Sequence, residues 1–240
     1  MKIYIILIII FLMPFYVIAG DYSKSIHHFL KGYRSDLQGD LDEAIENYRS
    51  ALLYNQKSSS LMSELSFAYI KRGELNKAES ILNEAIKLDE SNRNALILLG
   101  GIYSAKGDIE KAKNMYQKCI VLNTEDTEAY LYLGAIYINE KQYEEAIRIY
   151  KKILEYDNEN IITIYYIGRI KAELKEYTEA KIYYNNVLKL KANFEPALLD
   201  LGNIFEIENN FKQAIEYYQT IIVFDPQNKK ARSKIANIFI

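Results

Sequence analysis

The chain has 240 residues, half of them hydrophobic and about a quarter charged, so it can bury a sizeable core. Its net charge is −2, with acidic and basic residues interspersed, which argues against a nucleic-acid-binding surface. A single cysteine, Cys119, excludes an internal disulfide and a metal site built from cysteines. Three prolines and ten glycines predict long regular elements with little linker.

The first twenty residues, MKIYIILIIIFLMPFYVIAG, differ from the rest of the chain. One lysine precedes an apolar run over 3–18, and Val17 and Ala19 hold the small-residue positions before a cleavage point at Gly20. The run is shorter than the roughly 20 residues of a membrane-spanning helix. We therefore predict an export signal at 1–20 and a protein of the periplasm or cell envelope. The alternative is a chain that stays anchored in the membrane by residues 3–18.

After this segment the sequence repeats itself every 34 residues. Alanine recurs at Ala44, Ala78, Ala112, Ala146, Ala180 and Ala214. Glycine follows the same period in two series, Gly100, Gly134, Gly168 and Gly202, and Gly39, Gly73 and Gly107. A tyrosine row comprises Tyr48, Tyr116, Tyr150, Tyr184 and Tyr218, with Leu82 in the remaining place. A fixed period of this length predicts an array of stacked structural repeats.

Each repeat has the apolar spacing of two helices. Leu96, Leu99 and Tyr103 stand at i, i+3 and i+7, one stripe of an amphipathic helix, and a second stripe follows a short turn. The glycine series that includes Gly39 suits a left-handed residue closing the first helix. Asp40, with a glutamate three residues on, suits the N-cap of the second helix.

The small residues predict where the helices approach each other. We expect the glycine row of each first helix to face the alanine row of the second, with Gly100 opposite Ala112, and Tyr103 and Tyr116 to fill the wider gaps. A single pair cannot bury its apolar face, so each pair is expected to stack on the next.

This pattern, Leu-x-x-Leu-Gly-x-x-Tyr followed by spaced alanine and aromatic residues, resembles the tetratricopeptide repeat. The resemblance covers residues 23–240 and implies an all-α, right-handed α-solenoid of antiparallel helix pairs. The predicted repeats are 23–58, 59–92, 93–126, 127–160, 161–194 and 195–228, followed by a closing helix at 229–240.

Both ends of the array depart from the pattern. Eleven residues separate Tyr33 from Ala44, against nine between Tyr69 and Ala78, which predicts a two-residue insertion in repeat one. The predicted core stripe of that repeat is Ile26, Phe29, Leu30 and Tyr33. In the closing helix, we predict that Ile235, Ala236 and Phe239 pack inward and that Ile238 and Ile240 add apolar surface.

No catalytic constellation stands out in the sequence. His27 and His28 are adjacent on one helix and cannot face one site, and no phosphate-binding loop or metal motif is present. Cys119 lies in a row of small residues and is predicted to be buried and inert. We predict a protein that is not an enzyme and has no cofactor and no metal. An enzyme with an unrecognised site is the weakest alternative.

The family resemblance implies a concave groove lined by the first helix of each pair. The predicted groove residues are Phe67, Ile97, Leu98, Leu131, Tyr132, Tyr165, Tyr166, Arg169, Asp200 and Asn203. Ser63 and Glu64 join them in repeat two, and the shifted register of repeat one adds His27, His28 and Lys31. This groove would be apolar and rich in tyrosine in the middle and charged towards both ends. The aliphatic members have an alternative role, filling gaps between adjacent first helices.

A surface of this kind predicts a scaffold that binds a peptide or helix of a protein partner. No Lys/Asn/Arg clamp for a carboxyl terminus is visible at the groove positions. The alternative is an assembly subunit that associates with itself or with a membrane complex through its apolar end at 235–240.

Overall fold

The computed structural model describes residues 21–239, so the predicted export signal and Ile240 lie outside the described residues. Residues 21–37 are helical and are named α1. The further helices are α2 Leu41–Tyr54, α3 Ser59–Lys71, α4 Leu75–Leu88, α5 Arg93–Lys106, α6 Ile109–Leu122, α7 Thr127–Asn139, α8 Tyr143–Tyr156, α9 Ile161–Glu173, α10 Tyr177–Leu190, α11 Glu195–Ile207, α12 Phe211–Phe224 and α13 Lys229–Ile238. Between residues 21 and 239 there is no strand.

The fold is an all-α solenoid of helix pairs in series, which confirms the predicted all-α class. The chain divides into two compact units, Met1–Thr124 and Glu125–Ile240. Within each unit a first helix packs most closely on the second helix that follows it, as α3 does on α4 and α9 on α10. No helix in the described part of the chain is both long and apolar enough to cross a bilayer.

Left-handed residues end the first helices, as predicted. Gly39, Gly73 and Gly107 have φ values of 82°, 84° and 82°. The same conformation recurs 34 residues further along at side chains that adopt it with strain, in Lys141, Lys175 and Asn209. The tight turn is therefore a property of the repeat geometry and does not depend on glycine.

Polar caps open most of the helices. The Asp40 carboxylate accepts a hydrogen bond from the Glu43 amide at 3.0 Å, which confirms the predicted cap of α2. The Asn160 side chain accepts from the Thr163 amide at the start of α9 in the same way. These bonds satisfy amide groups that have no partner inside the helix.

The glycine row packs against tyrosine rings of the second helices, and at Gly32 the Ala44 carbonyl oxygen is also close, 3.1 Å from where a Cβ would stand. A Cβ atom on Gly100 would lie 2.5 Å from Cε1 of Tyr116, and one on Gly134 would lie 2.2 Å from Cε1 of Tyr150. The glycines therefore make room for a buried ring from the second helix. In α3 the position is taken by Ser66, where the tyrosine row carries the smaller Leu82.

Repeat one keeps the common register, so the predicted two-residue insertion was wrong. Gly32 lies sixteen residues before Tyr48, the spacing of Gly100 and Tyr116, and a Cβ on Gly32 would meet the Tyr48 ring at 2.9 Å. Ser35 takes the place that other repeats give to a tyrosine. It is fully buried, and its hydroxyl lies within donating distance of two acceptors, the Glu43 carboxylate at 2.9 Å and the Lys31 carbonyl at 3.1 Å.

Each unit has its own apolar core. In the second unit one cluster is built around Tyr184, Val187 and Leu201, and another around Leu198 and Tyr218. Cys119 is fully buried in the first unit, as its place among the small residues predicted.

The closing helix packs through a different set of residues from the one expected. Ile235 and Ile238 lie against the core around Tyr218, whereas Ala236 is exposed and Phe239 is 76% exposed. The expectation that Phe239 packs inward and Ile238 adds surface was wrong, because three residues separate Ile235 from Ile238, about one helical turn, which puts both on one face.

Candidate interaction surfaces

The first unit carries an uncovered apolar stripe along α1. Its members are spaced by four, four, three and four residues, which places them on one helical face, and their exposed fractions range from 42% to 70%. They are Tyr22, Ile26, Leu30, Tyr33 and Leu37. These side chains are not the core of repeat one, contrary to the prediction for Ile26, Leu30 and Tyr33.

The stripe continues into a cavity of about 380 Å³ between α1 and α3. Phe29 and Leu61 give the cavity its apolar walls, and Glu64 contributes a carboxylate. Phe67, a predicted groove residue, is exposed one turn further along α3, where the Lys71 ammonium lies 4.6 Å from its ring centre. The stripe, these walls, Glu64 and Phe67 together are called the α1–α3 surface.

Three residues predicted for the groove in repeat one lie elsewhere. His28 stacks on the Tyr54 ring of α2, with ring centres 5.8 Å apart, and His27 packs edge-on against His28. Lys31 forms an ion pair with Glu43 at 3.3 Å. The cause is the register error, and the equal Gly32–Tyr48 and Gly100–Tyr116 spacings were the signal that could have revealed it.

Other predicted residues in the first unit are core or partly core. Ile97 is only 9% exposed and fills the interior, and Ser63 is buried, where its hydroxyl donates to the Ser59 carbonyl at 3.1 Å. Leu98 is half-buried. Ile97 is therefore largely inaccessible to a partner.

The second unit brings four predicted residues together on α9 and α11. The Tyr165 hydroxyl donates to Oδ2 of Asp200 at 2.9 Å. Arg169, Asp200 and Asn203 line one cavity of about 320 Å³. Tyr166, on the same helix as Tyr165, stacks on Tyr150 with ring centres 5.8 Å apart. The four residues that bond or line the cavity, with Tyr166, are called the α9–α11 surface.

The polar groups of this surface are only partly satisfied. The Tyr218 hydroxyl donates to the Glu206 carboxylate at 2.5 Å and lies 3.1 Å from the Asn203 side-chain amide, whose NH₂ group makes no other hydrogen bond among residues 21–239. Arg169 is exposed and has no hydrogen-bond or ion-pair partner among residues 21–239. Burial raises the pKa of Tyr165, and the neighbouring Asp200 carboxylate raises it further. Tyr165 therefore remains a neutral donor that orients Asp200.

Tyr132 and Leu131 belong to the second unit as well. Tyr132 is 42% exposed, and its hydroxyl donates to the Glu128 carboxylate at 3.2 Å. Leu131 is half-buried. Tyr132 is thus accessible to a partner, whereas Leu131 is accessible only in part.

The second-helix tyrosines that pack against the glycine row bring their hydroxyl groups close to the first helices. The Tyr218 hydroxyl reaches Asn203 and Glu206 of α11. Those of Tyr48 and Tyr150 are buried without a hydrogen-bond partner in the described residues. A buried hydroxyl without a partner costs free energy, so these groups favour an added donor or acceptor nearby.

These surfaces are suited to non-covalent recognition. They combine exposed aromatic and aliphatic side chains with a few oriented polar groups, the composition of protein-binding patches. In residues 21–239 no cluster of three or more His, Cys, Asp or Glu side chains could hold a metal ion.

The fold and its surfaces define a helical repeat protein. A family model described as the tetratricopeptide repeat protein 21 C-terminal ARM domain matches residues 22–166, and two tetratricopeptide repeat models match 163–194 and 197–230. The chain belongs to the tetratricopeptide repeat family. No curated protein matches it.

Solved structures show the same fold at low sequence identity. PilF of Pseudomonas aeruginosa is 17% identical with a TM-score of 0.72, over 92% of this chain and 98% of that one. MamA is 24% identical with a TM-score of 0.61, over 71% and 93%. YrrB, described as a tetratricopeptide repeat protein with an unusual peptide-binding site, is 20% identical with a TM-score of 0.60, over 79% and 98%.

Proposed function

We propose that this protein is an exported scaffold that binds a peptide or helical segment of a protein partner. The observation that carries the proposal is the α9–α11 surface, where Arg169, Asp200 and Asn203 line one cavity and the half-buried rings of Tyr165 and Tyr166 lie on the same helix as Arg169. The peptide-binding site named for YrrB, a protein of the same fold, supports it.

The polar groups of the cavity match the chemistry of an amide. Arg169 and the Asn203 NH₂ group can donate hydrogen bonds, and the Asp200 carboxylate, which accepts from Tyr165, can accept another from a ligand. A main-chain amide or an Asn or Gln side chain both accepts and donates, so it can use both kinds of group. Tyr166 and Tyr132 add contact area with little loss of side-chain entropy.

The test is selection of binding peptides from a displayed library on the full chain. We expect Arg169→Ala or Tyr166→Ala to weaken the selected peptides about tenfold, in keeping with loss of one charged or aromatic contact. Lys151→Ala, exposed on α8, is the control and should have no effect. Unchanged affinity in both surface variants would remove the α9–α11 surface as the binding site.

Binding, and not catalysis, is proposed as the activity. The support is that the regular rows assign most side chains to packing, which leaves few polar groups to converge in a pocket. Turnover of a substrate by the purified chain would contradict this part of the proposal. A periplasmic or cell-envelope location rests on the sequence of residues 1–20 alone.

A second candidate is assembly through the C-terminal end. The observation that favours it is Phe239, a large apolar side chain that stands exposed after α13. If the chain associates there, sedimentation will show an oligomer that Phe239→Ser dissociates. Phe239 is the better target than Ile238, because Ile238 packs on the core.

A further inference from the structure

The α1–α3 surface has the dimensions of a helix-binding site. Its stripe runs from Tyr22 to Leu37, which corresponds to about 22 Å along α1. The opposite face of α1 is occupied, because Gly32 receives the Tyr48 ring and Ser35 is buried. Among residues 21–239 nothing covers the stripe, and an exposed apolar patch of this extent marks an interaction site.

Glu64 gives this apolar surface a specific electrostatic character. It lines the cavity beside Leu30 and is half-buried, yet it has no hydrogen-bond or ion-pair partner in the described part of the chain. The nearest charges do not neutralise it: Asp36 on α1 carries the same sign, and Lys71 on α3 bonds both oxygens of Asp36, at 2.9 and 2.8 Å.

The surroundings of Glu64 disfavour its ionised form. Burial raises the pKa of Glu64 and Asp36 raises it further, while Lys71 lowers it. The Tyr48 hydroxyl of α2 is close enough for Glu64 to raise the pKa of that tyrosine, and it has no partner among residues 21–239. An isolated carboxylate in an apolar cavity is stabilised when a bound partner supplies a positive charge.

We propose that the α1–α3 surface binds an amphipathic helix of a partner protein that carries one Lys or Arg within its apolar face, placed to pair with Glu64. The stripe receives the apolar anchors of the helix, at spacings of three and four residues. An anionic or wholly apolar segment leaves Glu64 unpaired or repelled, so it binds more weakly. This inference rests on the proposed role as a binding scaffold, but it concerns the other unit.

The experiment uses a displayed library of 18-residue helical peptides selected on the full-length chain. We expect enriched peptides to carry apolar residues at helical spacing and one basic residue among them. Replacing that residue with uncharged norleucine should weaken binding about fivefold. Glu64→Gln should abolish this difference while binding itself remains.

Leu30→Asp should abolish binding, and its control is Leu53→Asp, another exposed leucine, on α2 of the same unit. Tyr166→Ala should leave this peptide unaffected, so failure here is distinguishable from failure at the α9–α11 surface. The proposal would be overturned if the selected peptides lack a basic residue. It would also be overturned if replacing that residue with norleucine weakens binding to the Glu64→Gln variant as much as to the original chain.

Two other occupants of the α1–α3 surface would give different experimental results. A second copy of the chain would appear in sedimentation as a dimer that Leu30→Asp dissociates. The chain's own residues 1–20 would make the full-length chain bind the peptide much more weakly than a chain beginning at Asp21. Either result would overturn the proposal.

Discussion

At the scale of single residues, the pairing of a glycine with a tyrosine leaves no room for a side chain larger than hydrogen on the first helix. Repeat two differs from the other repeats at both positions: it has Leu82 in place of the tyrosine and Ser66 in place of the glycine. A leucine leaves the space near the first helix that a small side chain needs. Size complementarity between the two helices therefore decides both positions together.

This pairing predicts the effect of Gly134→Ala. The added methyl group would lie 2.2 Å from the Tyr150 ring, which is fully buried and has little room to move. We expect a loss of about 1–3 kcal/mol in the free energy of unfolding, measured by denaturation.

The matched control is Gly101→Ala, because a Cβ there has nothing within 4 Å. It should stabilise the protein by about 0.5–1 kcal/mol, the usual gain of alanine over glycine inside a helix. The pair Gly134→Ser with Tyr150→Leu, copied from the second repeat, should recover part of the loss. A destabilising Gly101→Ala would show that backbone effects dominate.

Glu64 predicts a pH-dependent effect on stability. Its pKa is raised in the folded state, so its contribution to stability is fully present below the pKa of the unfolded chain and is lost as the pH rises through the folded pKa. Glu64→Gln should therefore raise the melting temperature at pH 7, by about 1–2 °C, and change it less at pH 4. Equal effects at both pH values would exclude a charge effect, and Glu84→Gln, exposed on α4, is the control.

At the scale of the elements, one backbone turn joins the two helices of each pair whatever residue occupies it. Gly39, Gly73 and Gly107 take the left-handed conformation without steric penalty, whereas Lys141 and Lys175 take it at a cost. Because the turn is held by the packing of the helices on both sides, local preference is overridden in the second unit.

The strained turns predict that Lys141→Gly stabilises the protein. Glycine removes the clash of a side chain in the left-handed region, and we expect a gain of about 0.5–1 kcal/mol in the free energy of unfolding. Lys141→Ala is the control, because alanine retains the Cβ and should bring no gain. Equal effects of the two substitutions would show that the lysine side chain, and not its backbone, is responsible.

The elements also differ in what they leave exposed. The α1–α3 surface is mainly apolar with one unpaired acid, whereas the α9–α11 surface joins tyrosines to an arginine, an acid and an amide. Corresponding helices can differ in this way because only their packing faces are constrained by the repeat. The outward positions are free to specify different ligands.

At the scale of the whole molecule, the proposed export depends on residues 1–20. We expect the protein recovered from its source to begin at Gly20, as shown by the mass of the intact chain, because small residues precede that position. A chain that retains Met1 and fractionates with membranes would favour the anchor formed by residues 3–18.

The sequence by itself determined the fold class, the helix pairs and most turns. These follow from local rules: a 3.6-residue apolar period predicts a helix, and a 34-residue period predicts stacked pairs. The candidate residues Tyr165, Arg169 and Asp200 on α9 and α11 came from the family resemblance, which implies that first helices line a groove, applied to an unbroken register.

Only the tertiary structure decided which side chains meet across helices. The contact of Gly134 with Tyr150, the burial of Ile97 and the isolation of Glu64 depend on neighbours distant in sequence. In repeat one a tyrosine at Tyr33 suggested the wrong register, because sequence periodicity shows which residues share a helical face but not which face turns towards the neighbouring helix. Which face turns inward depends on how well the side chains of both helices fill the space between them, and that space exists only in the folded chain.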